Sequence, residues 1–355
     1  MKADLRRAGN FAQRFGLRIP IMLAPMAGAC PPSLSIAVSN AGGLGACGAL
    51  RMMPDGIVDW AKEVRSHSNG AFQMNLWIPD PVPVRDADRE KQLRDFLKQW
   101  GPDVPADTGA SEMYDFGAQC DALLASGAPI ISSIMGLYPA PFVRRMKDSG
   151  VAWFATVTTV EEARVAAEAG ADVIVAQGSE AGGHRGAFDR ERAERQLVGL
   201  FSLLPAVVDA VDVPVVATGG IADARGITAA LALGASAVQI GTGFLRCPEA
   251  KLHPVWADAL GRTLPEDTSV TSAFTGRAAR SIANAYVLVA NAQDAPTPMA
   301  YPLQRDLTAA MREDAARQGD ADRMQLWAGQ SAALAQPIPA ARLLHELWEQ
   351  VSSRD

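Results

Sequence analysis

The stretch TVTTVEEARVAAEAGADVIVAQG at 156–178 and its echo ATGGIADARGITAALALGASAVQIGTG at 217–243 decide the fold. Each reads as a strand end, a polar turn, a helix, a glycine and the next apolar strand. A unit of this kind used twice points to a parallel sheet covered by helices, because parallel neighbours need a long crossover. The stops Ala169-Gly170-Ala171 and Leu233-Gly234-Ala235 fit a glycine that ends a helix in the left-handed conformation. From Ala163-Arg164 to Gly170 the spacing is seven residues, and from Ala224-Arg225 to Gly234 it is ten, which predicts a second helix longer by nearly one turn.

Outward from these units, short apolar runs recur at 20–24, 44–48, 71–76, 129–133, 151–157, 172–176, 214–218 and 237–241. Helical spacing fills 33–41, 54–65, 116–126, 139–149, 159–169, 197–210 and 223–233. Eight strands with crossover helices favour a closed (β/α)8 TIM barrel over an open sheet. Two regions break the rhythm. Residues 77–115 hold IPDPVPV, an amphipathic helix carrying Leu93, Phe96, Leu97 and Trp100, and the polar stretch GPDVPADTGASE. This insertion leaves from a strand's C-terminal end, which suits either an active-face element or a surface excursion. The tail from 251 is interrupted by prolines and mostly helical. The expected organisation is a barrel over 1–250 with its insertion at about 77–115, and a smaller, mostly helical subdomain over 251–355 that caps the barrel and covers the substrate.

Composition narrows the function. With 48 % hydrophobic and 20 % charged residues over 355 positions, the chain can bury a large core without disulfides or metals. A net charge of −6 argues against nucleic acid or an anionic membrane as the main partner and favours a small-molecule substrate. No leader pattern opens the chain and no apolar run reaches about 18 residues, so a cytoplasmic protein is expected. Cys30, Cys47, Cys120 and Cys247 lack paired spacing, and His67, His184, His253 and His345 form no HxH or HxxxH pair, so no metal site is expected. Cys30 follows the first strand, where burial is the simpler reading than a pocket role.

Ligands of such barrels bind at the C-terminal strand ends, with phosphate at the loops after strands seven and eight. ATGGIADARG places Gly219 and Gly220 after the seventh strand, and QIGTGF at 239–244 follows the eighth. Glycine lets backbone amides approach an anion, and a helix N-terminus adds free N–H groups. After the sixth strand, QGSEAGGHRG at 177–186 carries Gln177, Glu180 and His184, the last projecting from a flexible glycine turn. A histidine titrating near neutrality suits proton abstraction. APMAGA at 24–29 forms a small apolar turn able to admit a flat ring, and Gln73 and Asn75 of FQMNLWIP offer side-chain amides to a ligand.

In chain order, APMAGA, GGLGACGAL, FQMNLW, QGSEAGGHRG, ATGGIADARG, QIGTGF and LWAGQSAAL resemble the nitronate monooxygenase family, and the likeness spans most of the chain. The resemblance implies an FMN-binding barrel with a smaller substrate-covering domain. It implies that Asn75 and Gln177 contact FMN, that Gly182 lies against it and Met26 near its ring, and that Gly219, Gly220 and the Gln239-Ile240-Gly241-Thr242 segment hold its phosphate. His184 is then the catalytic residue. The implied activity is FMN-dependent oxidation of alkyl nitronates, or of nitroalkanes, by dioxygen to a carbonyl compound and nitrite. For a nitroalkane His184 would remove the carbon-bound proton; for a preformed nitronate it would help bind the anion. Alternatives on the same motifs are an FMN-dependent NAD(P)H enoyl-ACP reductase, a flavin-free lyase or isomerase acting on a phosphorylated metabolite, and an idle flavin binder.

Overall fold

The structure, a computed structural model, describes residues 2–109 and 114–353; residues 110–112 of the polar stretch, and 113, lie outside them. Eight parallel strands form the barrel: β1 (Ile21–Leu23), β2 (Gly45–Gly48), β3 (Phe72–Trp77), β4 (Ile130–Ile134), β5 (Ala152–Val157), β6 (Val173–Gln177), β8 (Val215–Thr218) and β9 (Ala237–Ile240). A two-residue strand, β7 (Gly183–His184), interrupts the numbering and belongs elsewhere. The order runs β1-β9-β8-β6-β5-β4-β3-β2. Leu23 N–H donating to Leu44 O (2.8 Å) and Leu44 N–H to Ile21 O (3.1 Å) join its two ends, so the sheet closes.

Helices α2 (Pro32–Asn40), α3 (Pro54–His67), α5 (Phe116–Ala125), α6 (Ala140–Asp148), α7 (Val160–Glu168), α8 (Leu200–Val208) and α9 (Ala224–Ala232) follow the strands, as expected. The predicted difference between the two echo units does not occur: α7 and α9 are both nine residues long. The Ala-Arg pairs were the wrong anchors, since Ala224 opens its helix while Ala163 sits inside one. The true anchors are the caps: Thr159 accepts from Glu162 N–H and Asp223 from Gly226 N–H. Gly170 (φ 98°) and Gly234 (φ 108°) each follow their cap by eleven residues.

Alternate side chains of each strand face the barrel interior. The lower layer packs Met22, Ile130, Phe154, Val173 and Val216. An N-terminal helix that the sequence reading missed, α1 (Lys2–Arg14), plugs this end, with Phe11 and Phe15 at 4.8 Å from each other and Phe15 edge-on to Phe154 at 4.9 Å. Above it the interior turns polar, where Gln73 Nε2 donates to Gln239 Oε1 (3.0 Å) and Leu23 O (3.2 Å). Apolar residues therefore seal one end of the barrel and polar ones floor the other.

The lid joins distant parts of the chain. In the insertion, α4 (Ala87–Leu97) packs Leu93 and Leu97 against Phe274, Tyr286, Leu303 and Leu307 of the tail, so the two excursions share one apolar core. The tail supplies α10 (Pro254–Leu260), α11 (Ala285–Ala290), α12 (Leu303–Leu307) and α13 (Ala309–Gln318). It also holds β10 (Thr268–Thr271) and β11 (Ala279–Ile282), which pair antiparallel with each other and, through β11, with β7. The reading of this region as mostly helical did not anticipate them.

Not all of 251–355 caps the barrel. The last helix, α14 (Ala340–Ser352), lies against α2 and α9, and Leu343, Leu344 and Leu347 enter the barrel's outer core. It closes the ring of helices where β9 meets β1, a gap that must be covered because β9 is buried on both faces. Among the described residues no helix is long and apolar enough to cross a membrane.

Candidate active site

The C-terminal strand ends and the lid line a cavity of about 220 Å³. The polar candidates Gln73 and Glu180 do not line it, whereas every residue that the resemblance assigns to the site does, except Ile240. Strand parity gives the reason. Gln239 and Gly241 face the cavity, so Ile240 turns outward into the core, and its carbonyl accepts from Ala24 N–H (2.9 Å). Met26 sits against the strand-nine glycine, since a Cβ on Gly241 would lie 3.4 Å from Met26 Sδ. Asn75 is buried at the floor, its Nδ2 donating to Ser132 Oγ (3.1 Å).

The glycine turns form an anion cradle. Gly219 (φ 108°) and Gly220 (φ 69°) hold the left-handed backbone just before α9. The backbone N–H groups of Gly219, Gly220, Gly241 and Thr242 meet no acceptor among the described residues. Gly219 is buried, where an amide is ordinarily paired, and the four free donors sit on adjacent turns that line one cavity, an arrangement that fits the oxygens of a phosphate. A strap from the tail lies over this rim. Ser331 Oγ donates to Gly220 O (2.6 Å), Gly329 N–H to Thr242 Oγ1 (3.1 Å) and Gln330 N–H to Glu180 O (3.0 Å).

The strap also accounts for Gly182. A Cβ there would stand 2.5 Å from Gly329 N and 2.7 Å from the Ala328 carbonyl carbon, so backbone packing already demands glycine. Glu180, read as a polar group at the strand end, turns away to cap α8, accepting from Leu200 N–H at 2.9 and 3.0 Å. Gln177 is largely occupied by its own loop: its Oε1 accepts from Gly186 N–H (2.8 Å) and its Nε2 donates to His184 O (3.1 Å). One N–H remains for a ligand.

His184 is not on a flexible turn. It pairs across from Ala279 in the lid sheet. Its ring meets the edges or faces of Trp77 (4.6 Å) and Trp327 (5.2 Å), and Nε2 lies 2.9 Å from Thr275 Oγ1. The next residue, Arg185, is fully buried and donates to Gln177 O and Gly178 O, which fixes the loop from below. Burial, and then the Arg277 guanidinium, push the His184 pKa down to about 3. Arg277 is itself buried and paired with Asp80 of the insertion at 2.9 Å. The imidazole is therefore neutral at working pH.

This shift makes a stability prediction. The folded value of about 3 lies below the ordinary 6.5, so as pH falls the unfolded chain takes up this proton first. The contribution is fully present above about pH 6.5 and is lost towards pH 3, with a limiting slope of ~1.4 kcal/mol per pH unit. Urea titrations between pH 7 and pH 4 should show wild type losing stability faster than His184→Asn; parallel losses would contradict the assignment.

Sequence reading did not single out the lid residues of the site. Tyr301, Trp327 and Thr275 line the cavity, as do Arg51, Arg305 and Arg312. Burial, followed by Arg305 and Arg51, holds the Arg312 pKa down to about 10, so these guanidinium groups feel one another. Trp327 does fall in the LWAGQSAAL segment, but nothing in that string marked a wall of the cavity. The four cysteines are buried, and burial raises the Cys30, Cys120 and Cys247 thiols to about 12. Among the described residues no group of three His, Cys, Asp or Glu could hold a metal ion.

An eight-stranded barrel with an anion cradle, a half-buried neutral histidine and a lid over its C-terminal mouth defines a barrel enzyme acting on a small molecule. Comparison with known proteins sharpens this. The nitronate monooxygenase model matches residues 11–350. The probable nitronate monooxygenase of Bacillus subtilis (strain 168) is 38 % identical over 350 residues, covering 96 % of this chain and 98 % of that one. Among solved structures, the nitroalkane oxidase from Streptomyces ansochromogenes superposes with a TM-score of 0.86 at 35 % identity, covering 95 % of this chain and 96 % of that one. FabK from Thermotoga maritima gives 0.75 at 28 %, covering 97 % and 96 %. The chain belongs to the nitronate monooxygenase family and is an oxidoreductase.

Proposed function

We propose that this enzyme oxidises alkyl nitronates with dioxygen to a carbonyl compound and nitrite, using FMN. The observation that carries the reading is a neutral His184 set in an aromatic wall of a cavity that has a free-amide cradle at one side and three arginines in its lining. The cradle fits the FMN phosphate: Gly219, Gly220, Gly241 and Thr242 would hold it by backbone N–H groups, with Thr218 and Gln239 beneath. Met26, Asn75 and the remaining Gln177 N–H would meet the ring system. Bound there, the flavin supplies the electron transfer. The tool of the protein is position: the strap closes over the cradle, and the lid keeps bulk water from the reacting carbon.

The electrostatics favour the nitronate over the neutral nitroalkane. A histidine held down to about 3 is a weak base, and Arg51, Arg305 and Arg312 in the lining make the cavity attractive to an anion in a chain of net charge −6. The nitronate, already deprotonated, asks no base of His184, which serves a nitroalkane as an inefficient proton acceptor. The test is an aerobic assay of the purified enzyme with an alkyl nitronate and no nicotinamide. Oxygen uptake with matching nitrite release is the expected result. Oxidation of NADPH by an enoyl substrate without nitronate turnover would select the reductase.

A further inference from the structure

The hydroxyl of Thr275 has three polar neighbours and one proton. His184 Nε2 lies at 2.9 Å, Arg277 O at 3.3 Å, and Arg277 N–H points to the oxygen from 3.5 Å. A carbonyl can only accept, so keeping all three contacts requires that the Thr275 proton go to Arg277 O. The oxygen then has only lone pairs to offer, and both the Arg277 amide and the imidazole must donate to them. The opposite tautomer would send the Thr275 proton to Nε2 and forfeit the contact with Arg277 O. Nδ1 meets no partner among the described residues.

We propose that Thr275 is a positioning residue that pins the ring proton of His184 on Nε2, leaving Nδ1 as the free basic nitrogen of the active site. Both partners are held by their backbones. Thr275 is buried in a turn closed by Gly276 N–H to Ser272 O (2.7 Å), and a Cβ on Gly276 (φ 81°) would overlap the backbone at Met299 and Tyr301. His184 is fixed by β11, by Gln177 and by the rings of Trp77 and Trp327. A second proton on Nδ1 is opposed by the Arg277 guanidinium, which Asp80 keeps beside the site. Thr275 comes from the lid and His184 from the barrel loop, so the lid sets which nitrogen the barrel offers.

The inference rests on His184 as the residue that meets substrate, but its main readout does not. In protein labelled with ¹⁵N-histidine, four side chains give signals, and His184→Asn identifies the one in question. The expected wild-type pattern is a protonated Nε2 and an unprotonated Nδ1 at pH 7.5. Thr275→Ser should keep the pattern and keep kcat/KM for a neutral nitroalkane within about threefold. Thr275→Val should broaden or average the signal and lower kcat/KM roughly tenfold, the scale of one hydrogen bond. A wild-type Nδ1–H signal overturns the proposal, as does a Thr275→Val protein with unchanged pattern and rate. If Thr275→Val does not fold, the wild-type and Thr275→Ser spectra still decide. An Nε2–H pattern in a protein that turns over no nitronate would sink the proposed reaction and leave the tautomer standing.

Discussion

His184→Asn is expected to slow turnover of a neutral nitroalkane by about 10²- to 10⁴-fold, the range ordinarily contributed by a positioned acid or base. Flavin content should not change. The cradle is built from the β8 and β9 turns and the strap, none of which uses the imidazole. Asparagine keeps a polar group near Thr275 but cannot take up a proton. Turnover of the preformed nitronate should fall less, because no carbon-bound proton has to be removed. Steady-state rates on the two substrate forms, with flavin content measured by absorbance, check both halves. Undiminished activity on the nitroalkane would remove His184 from proton transfer.

Gly182→Ala is expected to destabilise the protein even without flavin. The added methyl would stand 2.5 Å from Gly329 N and 2.7 Å from the Ala328 carbonyl carbon, and neither is a side chain that can swing aside. Overpacking of this kind costs about 1–3 kcal/mol. Relief would come from lifting the strap, which breaks the Gly329 to Thr242 and Ser331 to Gly220 hydrogen bonds beside the cradle. Flavin affinity should therefore drop by roughly tenfold or more, on the scale of those lost bonds. Urea denaturation of the flavin-free protein is the discriminating measurement. If the glycine served only to let a cofactor approach, the flavin-free variant would be as stable as wild type.

The barrel was legible because its signals are local. Each strand is a short apolar run and each helix an amphipathic segment with a cap, as Thr159 and Asp223 show. The strand-end residues were legible for the same reason: parity along a strand places Asn75, Gln177 and Gln239 together, and the same parity applied one residue further would have excluded Ile240. The lid was not legible. β10 and β11 are four residues each, and β11 finds its partner in β7, nearly a hundred residues earlier in the chain. Thr275, Tyr301 and Arg312 join the site only through that non-local pairing and through the core that α4 shares with the tail. α14 was misplaced because an amphipathic helix carries no mark of which surface it covers; only ring closure of the barrel assigns it to α2 and α9.

The central claim is that this site passes electrons from a nitronate to a bound flavin without a nicotinamide. The most direct measurement is the anaerobic absorbance spectrum of the flavin-loaded enzyme on mixing with an alkyl nitronate, set beside the same mixing with NADPH, followed by admission of air. The account predicts loss of the oxidised flavin bands with nitronate, little change with NADPH, and recovery of the bands in air with release of nitrite. Rapid bleaching by NADPH and an unchanged spectrum with nitronate would contradict it.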